Sequence, residues 1–284
     1  MKHIIVTGAY GLVGSNFIKT VPKEWKVTKI KFDEIPSDLE PADYIIHGAG
    51  YGQPQMFLKD EISTIRINTD FTIKLFDYLA PGGKFLFLST SEVYSGAPFP
   101  YKETDIGTTT PLHPRACYIE SKRCGEAICM AFKRKGVDVK IARLSLAYGQ
   151  GTKKGDTRVL NQFIEQALTK GKIELLDMGE AMRTYGYIGD VVKILWAVLL
   201  QGKDVIYNVG GISTTSIANL AMGIGEITGA KVIFPEETTG LAGAPEDVRL
   251  DMTKVLNEFG FKGFVSLDAG LRLTIKWQKE NLYA

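Results

Sequence analysis

The sequence predicts an α/β protein built on a doubly wound parallel sheet, and three observations lead there. Short apolar runs alternate with segments of helical periodicity through the first half of the chain, the pattern of βαβ units. A glycine-rich turn, Gly8 to Gly14, stands where the first apolar run gives way to the first helical segment. The 284 residues are 45% hydrophobic and 23% charged, which provides apolar material for a large core.

Each element can be justified in turn. Ile4–Thr7 reads as the first strand and Leu12–Thr20 as the helix behind it. Val27–Phe32 is the second strand, and Tyr44–His47, bounded by Gly48 and Gly50, the third. Ile62–Leu79 has helical periodicity and is expected to stop at the breaker cluster Pro81-Gly82-Gly83. Lys84–Leu88 reads as a buried strand, Tyr118–Lys135 as a long helix closed by Gly136, and Val139–Leu144 as the next strand. Residues 1–150 thus form the expected dinucleotide-binding domain. Over residues 151–284 the rhythm loosens, with helices at Val159–Thr169, Asp190–Leu200 and Ile217–Thr228 and a short strand at Val205–Val209. This half reads as a smaller α/β substrate lobe, with some strands and helices returning to the first domain.

Charge and cysteine usage narrow the partners. The formal net charge is +2, with no clustered basic run beyond Lys133-Arg134-Lys135, so neither a nucleic-acid nor a membrane partner is expected. The longest apolar stretch, near Ile194–Leu200, is too short to span a bilayer. Cys117, Cys124 and Cys129 are odd in number and form no CxxC pair, which points to free thiols and a cytoplasmic setting. The chain starts directly on its first strand, so no secretory signal is expected. No metal-ligand pattern is visible.

The run Thr7-Gly8-Ala9-Tyr10-Gly11-Leu12-Val13-Gly14 joins strand to helix. Glycines there allow a tight turn and close approach of backbone to a pyrophosphate, while the helix N-terminus offers N–H groups to the anion. Gly8, Tyr10, Gly11, Leu12, Val13 and Gly14 are therefore candidate cofactor contacts in a Rossmann-type domain. Asp33, just past the second strand, is the candidate ribose acid, and Lys31 beside it leaves NADP open as an alternative to NAD. Ala49 and Gly50 after the third strand, and Ser89 at the end of the fourth, complete the expected cofactor set.

Ser89-Thr90-Ser91-Glu92 places hydroxyls and a carboxylate at the C-terminal end of a parallel strand, where such sheets bind ligands. Tyr118 and Lys122 lie four apart at the start of a helix and so share a face. A lysine cation beside a phenol favours the phenolate and makes the tyrosine a usable base.

With Pro114-Arg115-Ala116-Cys117-Tyr118 through Lys122-Arg123, and with Arg183 ahead of Tyr187-Ile188-Gly189-Asp190, these stretches resemble the extended short-chain dehydrogenase/reductases. The resemblance is to the nucleotide-sugar epimerase/dehydratase group and is strongest to the UDP-glucuronate decarboxylases. It implies NAD as cofactor, a nucleotide-sugar substrate oxidised at C4, and loss of carbon dioxide from the resulting β-keto acid. It also implies roles: Tyr118 as base, Lys122 lowering its pKa and holding the nicotinamide ribose, and Thr90 bonding O4. Ser91 and Glu92 would act near C5 and the carboxylate, and Arg183 near the carboxylate and diphosphate. Tyr51 and Gln53 are expected to face the sugar, and Arg158 and Arg249 to serve the diphosphate. Ser91 in place of an aspartate argues against dehydration. C4 epimerisation or a related keto-sugar conversion is the alternative reaction, and a non-catalytic nucleotide-binding Rossmann protein the alternative class. Relatives commonly pair through two long helices, so a homodimer is expected.

The chain departs from the group in several places, among them the Asp177-Met178-Gly179 stretch, which lacks an aromatic some relatives have, and the Tyr51-Gly52-Gln53-Pro54 segment. Between Val27 and Asp43 it is about one βα unit short, which thins the adenosine side. Leu146 stands where relatives often carry a substrate-contacting asparagine.

Overall fold

In the computed structural model the described residues are 1–31, 34–236 and 247–284. The first half runs β1 (His3–Thr7), α1 (Leu12–Ile18), β2 (Lys26–Ile30), β3 (Ala42–His47), α2 (Pro54–Lys59), α3 (Glu61–Asn68), α4 (Asp70–Leu75), β4 (Leu79–Thr90), α5 (Ala116–Arg134) and β5 (Asp138–Leu144). The second runs β6 (Leu146–Tyr148), α6 (Val159–Lys170), β7 (Lys172–Glu174), β8 (Met182–Tyr187), α7 (Ile188–Gln201), β9 (Ile206–Val209), β10 (Ser213–Ser216), α8 (Ile217–Thr228), β11 (Lys231–Ile233), β12 (Asp247–Val248), α9 (Thr253–Phe259) and α10 (Leu267–Asn281).

Six of these strands pair in the order β2-β1-β3-β4-β5-β9, parallel throughout. Alternation along the strands explains why the sheet needs helices on both faces. Ile4, Val6, Leu86 and Leu88 point into a core shared with Phe17 of α1 and Val191 and Leu195 of α7. Ile5, Ile45, Phe85 and Phe87 point the other way, into a core with Ile67, Phe71 and Cys129 of the helices α3 to α5. A third core, with Leu160, Ile164, Ile173, Leu220 and Leu271, joins α6, α8 and α10 to the smaller sheets of the second half.

The structure corrects three expectations. The helical run Ile62–Leu79 is not continuous: Asp60 caps α3 by accepting from the Ser63 amide at 3.1 Å, and Thr69 leaves helical geometry before α4 begins. Pro81-Gly82-Gly83 does not end a helix but lies inside β4, which pairs with β3 from Leu79 onward. A register shift between Ala42 and Tyr44 absorbs the irregularity, with Gly82 at φ +73. Finally, α2 was not expected; at six residues it is too short to show a period, though Pro54 sits in its first turn.

The missing βα unit is real. β2 is the edge strand, and the chain passes from it across β1 to β3 with no helix or strand among the described residues between. The order of strands still reverses between β1 and β3. The crevice at their C-terminal ends is where open α/β sheets receive ligands. No described helix is long and apolar enough to cross a membrane.

Candidate active site

The ends of β1, β3 and β4 build the crevice. After β1, Gly8 adopts φ +67, and a Cβ there would overlap the Gly48 carbonyl oxygen; a Cβ on Gly14 would overlap the Gly8 carbonyl. These two glycines let β1, α1 and the loop after β3 pack backbone on backbone. Gly11 is the N-cap of α1, and no side chain caps the first turn. Tyr10 is largely exposed, while Leu12 and Val13 pack partly into the core behind the loop.

The loop after β3 is held by a buried relay. Ala49 donates its amide to Thr7 Oγ1 at 3.0 Å, and Thr7 Oγ1 meets His47 Nδ1 at 2.8 Å. His47 Nε2 faces the Ile67 carbonyl at 3.2 Å and Thr72 Oγ1 at 3.0 Å. A carbonyl can only accept, so Nε2 carries the proton and Nδ1 accepts from Thr7. Burial, helped by the Lys122 charge, pushes the His47 pKa down to about 3.

A stability prediction follows from that shift. Unfolded His47 binds a proton at its ordinary value near 6.5, whereas folded His47 stays neutral down to about 3. The unfolded state therefore holds more protons in this window, and stability is full above pH 6.5 and lost as the pH falls. Between pH 7 and pH 5 this residue should remove about 2 kcal/mol. Urea unfolding of the wild type and His47→Gln at both pH values checks it; equal losses in the two proteins would refute a buried neutral His47.

After β4, Thr90 and Ser91 are buried, and Thr90 Oγ1 accepts from the Glu92 amide at 3.2 Å. Glu92 Oε1 pairs with Arg115 Nη1 at 3.0 Å. Tyr118, half-buried on the first turn of α5, stacks on Phe57 of α2 with ring centroids 4.5 Å apart and planes 4° from parallel. Burial and the Glu92 charge raise the Tyr118 phenol above its ordinary pKa; a hydrogen bond with Thr90 and the charges of Arg115 and Arg158 pull it back. The Lys122 Nζ donates to the Leu88 carbonyl at 2.8 Å and lies over the Phe87 ring. Burial lowers its own pKa to about 8.

The remaining expected residues separate into two groups. Gln53 Oε1 accepts from the Thr157 hydroxyl at 3.0 Å, which brings the Tyr51–Gln53 loop against the segment before α6. Arg158 is held by Asp156, with Nε at 3.0 Å from Oδ1, and its charge reaches both Tyr118 and Tyr185. Arg183 on β8 donates to the Met182 carbonyl at 2.8 Å, and burial keeps its pKa below the ordinary value. Ser89 gives its hydroxyl to Glu126, so its side chain is turned into α5. Arg249 is paired with Asp247 and lies over Phe99, 4.3 Å from the ring centroid. Asp33 lies outside the described residues.

Buried polar atoms that lack a partner are rare in folded proteins. Among the described residues three side-chain atoms qualify: Asn68 Oδ1, Glu92 Oε2 and Tyr185 Oη. Asn68 Oδ1 lies near Gly50, the Glu92 charge bears on Tyr118, and Arg183 and Arg158 bear on Tyr185. Asn68 gives its amide to Ser121 of α5, while its Oδ1 would stand 3.6 Å from a Cβ on Gly50, with Lys122 Nζ 3.9 Å away. Gly50, at φ +144, thus leaves an open place flanked by a carbonyl acceptor and an ammonium donor. Those residues suit a polar cofactor such as a nicotinamide nucleotide.

The comparisons place the chain. The model of the NAD dependent epimerase/dehydratase family matches residues 25–210. UDP-glucuronic acid decarboxylase 1 of Xenopus tropicalis is 30% identical over 99% of this chain and 73% of its own length. The chain belongs to the NAD-dependent epimerase/dehydratase family. UDP-glucuronic acid decarboxylase 2 of Arabidopsis thaliana is 31% identical, over 99% of this chain and 69% of its own. Among solved structures, UDP-glucuronic acid 4-epimerase from Bacillus cereus, in complex with UDP-glucuronic acid and NAD, superposes with a TM-score of 0.83 at 21% identity, covering 98% of this chain and 99% of that one. At that identity the likeness shows the fold. The protein is an NAD-dependent enzyme of this family, and the fit of Gly50, Asn68 and Lys122 to a polar cofactor agrees with it.

Sequence reading missed Phe57, Arg115 as the partner of Glu92, Asn68 and Tyr185. Pro54 was the one signal for the helix that carries Phe57.

Proposed function

We propose that the enzyme decarboxylates a nucleotide-diphosphate-linked uronic acid, with UDP-glucuronate as the leading substrate. The observation that carries the reading is the set of Thr90, Glu92, Arg115 and Arg158 bearing on the Tyr118 phenol, with Glu92 Oε2 buried and unpaired among the described residues. The names of two relatives that the chain resembles along 99% of its length support the same chemistry.

In this reading Tyr118 takes the proton from the sugar 4-hydroxyl, with Thr90 bonded to the same oxygen. NAD, when bound, supplies the reversible hydride acceptor for C4. Asn68, Gly50 and Lys122 would hold its nicotinamide half, with Gly8, Gly11 and Gly14 at the pyrophosphate. Arg183 and Arg115 balance the carboxylate until the 4-keto group at the β position draws off the electron pair as carbon dioxide leaves. Tyr118 and Thr90 then stabilise the enolate oxygen, and Glu92 and Ser91 stand on the side where C5 regains a proton. Residues 151–284 supply most of the sugar and nucleotide contacts, through Arg158, Arg183 and Tyr185.

The purified protein offered UDP-glucuronate and NAD should release carbon dioxide and a UDP-pentose. UDP-galacturonate without carbon dioxide would make it a 4-epimerase, and no change in any nucleotide sugar would leave the decarboxylase reading without support. The same preparation should scatter light as a dimer, since Ile62, Ile65 and Ile73 on α3 and α4 expose apolar surface beside α5. The three unpaired thiols fit a reducing, cytoplasmic setting.

A further inference from the structure

Tyr185 is a buried tyrosine whose hydroxyl is unpaired among the described residues. It is 3% exposed, and its Oη has no hydrogen-bond partner among the described residues. A tyrosine ring can serve a core, but its hydroxyl then normally finds an acceptor or donor, because an unpaired buried hydroxyl is costly. A phenylalanine would pack here without that cost. The hydroxyl therefore calls for a use.

Its surroundings indicate which. Arg183 and Tyr185 are two apart on β8, so their side chains leave the strand on the same face. Across the strand, Tyr185 is in register with Leu146 of β6 on one side and Ser213 of β10 on the other. Leu146 offers no polar atom, and the Tyr148 ring meets Tyr185 edge-on at 6.0 Å, so the packed side of the ring is apolar and aromatic. The charged groups that bear on the Tyr185 phenol are Arg183 and Arg158, the latter paired with Asp156, and Arg158 bears on the Tyr118 phenol as well. A hydroxyl beside two guanidinium groups, all of them donors, forms a site for an anionic oxygen.

We propose that the Tyr185 hydroxyl donates a hydrogen bond to an anionic oxygen of the nucleotide sugar, acting with Arg158 and Arg183 as a substrate-binding group. This rests on the reading of the Tyr118 crevice as a nucleotide-sugar site and adds to it a residue that fixes what the site accepts. The oxygen belongs either to the diphosphate or to the sugar carboxylate, which share the same chemistry. Because the hydroxyl has no partner among the described residues, its contribution appears only when ligand is bound.

The test is Tyr185→Phe in the NAD-loaded enzyme, titrated calorimetrically with UDP and with UDP-glucuronate. A hydrogen bond to a charged group predicts a loss of affinity of about tenfold to a hundredfold. The melting temperature without substrate should be unchanged or higher, because an unpaired buried hydroxyl has been removed. A merely structural tyrosine would give the reverse pattern. Loss with both ligands assigns the hydroxyl to the diphosphate; loss with UDP-glucuronate but not UDP assigns it to the carboxylate. Wild-type affinity for both ligands in the variant overturns the proposal while leaving the functional reading in place. A wild-type enzyme that binds neither ligand overturns the functional reading and this assignment with it.

Discussion

Tyr118→Phe is expected to lower turnover by about 10²- to 10⁴-fold, the span of a positioned acid–base group, with little change in KM. Phenylalanine keeps the ring that stacks on Phe57 at 4.5 Å and removes only the hydroxyl that Thr90 bonds. The fold should therefore be unharmed and substrate still admitted, while the proton of the sugar hydroxyl has nowhere to go. In the ligand-free protein, burial and the Glu92 charge hold the phenol above its ordinary pKa, so Tyr118 is neutral at rest. Arg115, Arg158 and the Thr90 hydroxyl already act in the opposite direction, and a cation brought close by substrate or cofactor adds to them. Steady-state kinetics of the variant on the substrate that wild type converts would decide the matter; retained turnover would remove Tyr118 from the role of base.

The parts of this site that could be read in the sequence are those fixed by local chemistry. Gly8 and Gly14 are glycines because backbone passes within contact of backbone, and their spacing survives any change around them. Tyr118 and Lys122 share a face because four residues make about one helical turn. What the spacing could not carry was where the lysine points: Lys122 turns to the Leu88 carbonyl, a partner 34 positions away that only the docking of α5 on β4 provides. Tyr185 was invisible for a similar reason. Its burial depends on β6 and β10 flanking β8, and its significance depends on the lack of a partner, which no sequence pattern encodes. Pro81-Gly82-Gly83 misled because breakers end helices far more often than they open strands. Here the neighbouring strand takes up the irregularity as a register shift. The thinned adenosine side was legible because a missing βα unit shortens the chain, and the sheet accordingly ends at β2.

Stability and catalysis meet at Glu126, one helical turn beyond Lys122. Its two carboxylate oxygens take Arg143 Nε at 2.9 Å and Nη2 at 2.6 Å, and the Ser89 hydroxyl bonds the first of them. Both ion-pair partners are buried, and the Arg143 guanidinium also lies over the Tyr94 ring, 4.7 Å from its centroid. Removing the acid alone, as in Glu126→Ala, strands a buried cation and should cost about 3 to 5 kcal/mol in urea unfolding. The double replacement Glu126→Leu with Arg143→Met should recover most of that loss, because no charge is left uncompensated. The same carboxylate also bears on the site: its charge raises the pKa of Lys122, which burial has lowered to about 8. Without Glu126 the Lys122 pKa must fall further, so the ammonium is lost at lower pH. A reaction that needs the charged lysine loses rate as the pH rises through that value. The alkaline limb of kcat/KM should therefore move to lower pH in Glu126→Gln, a variant that keeps the shape and one acceptor oxygen while removing the charge. A variant that is less stable but has an unmoved limb would separate the two roles, leaving Glu126 to the fold and taking Lys122 out of the pH-dependent step.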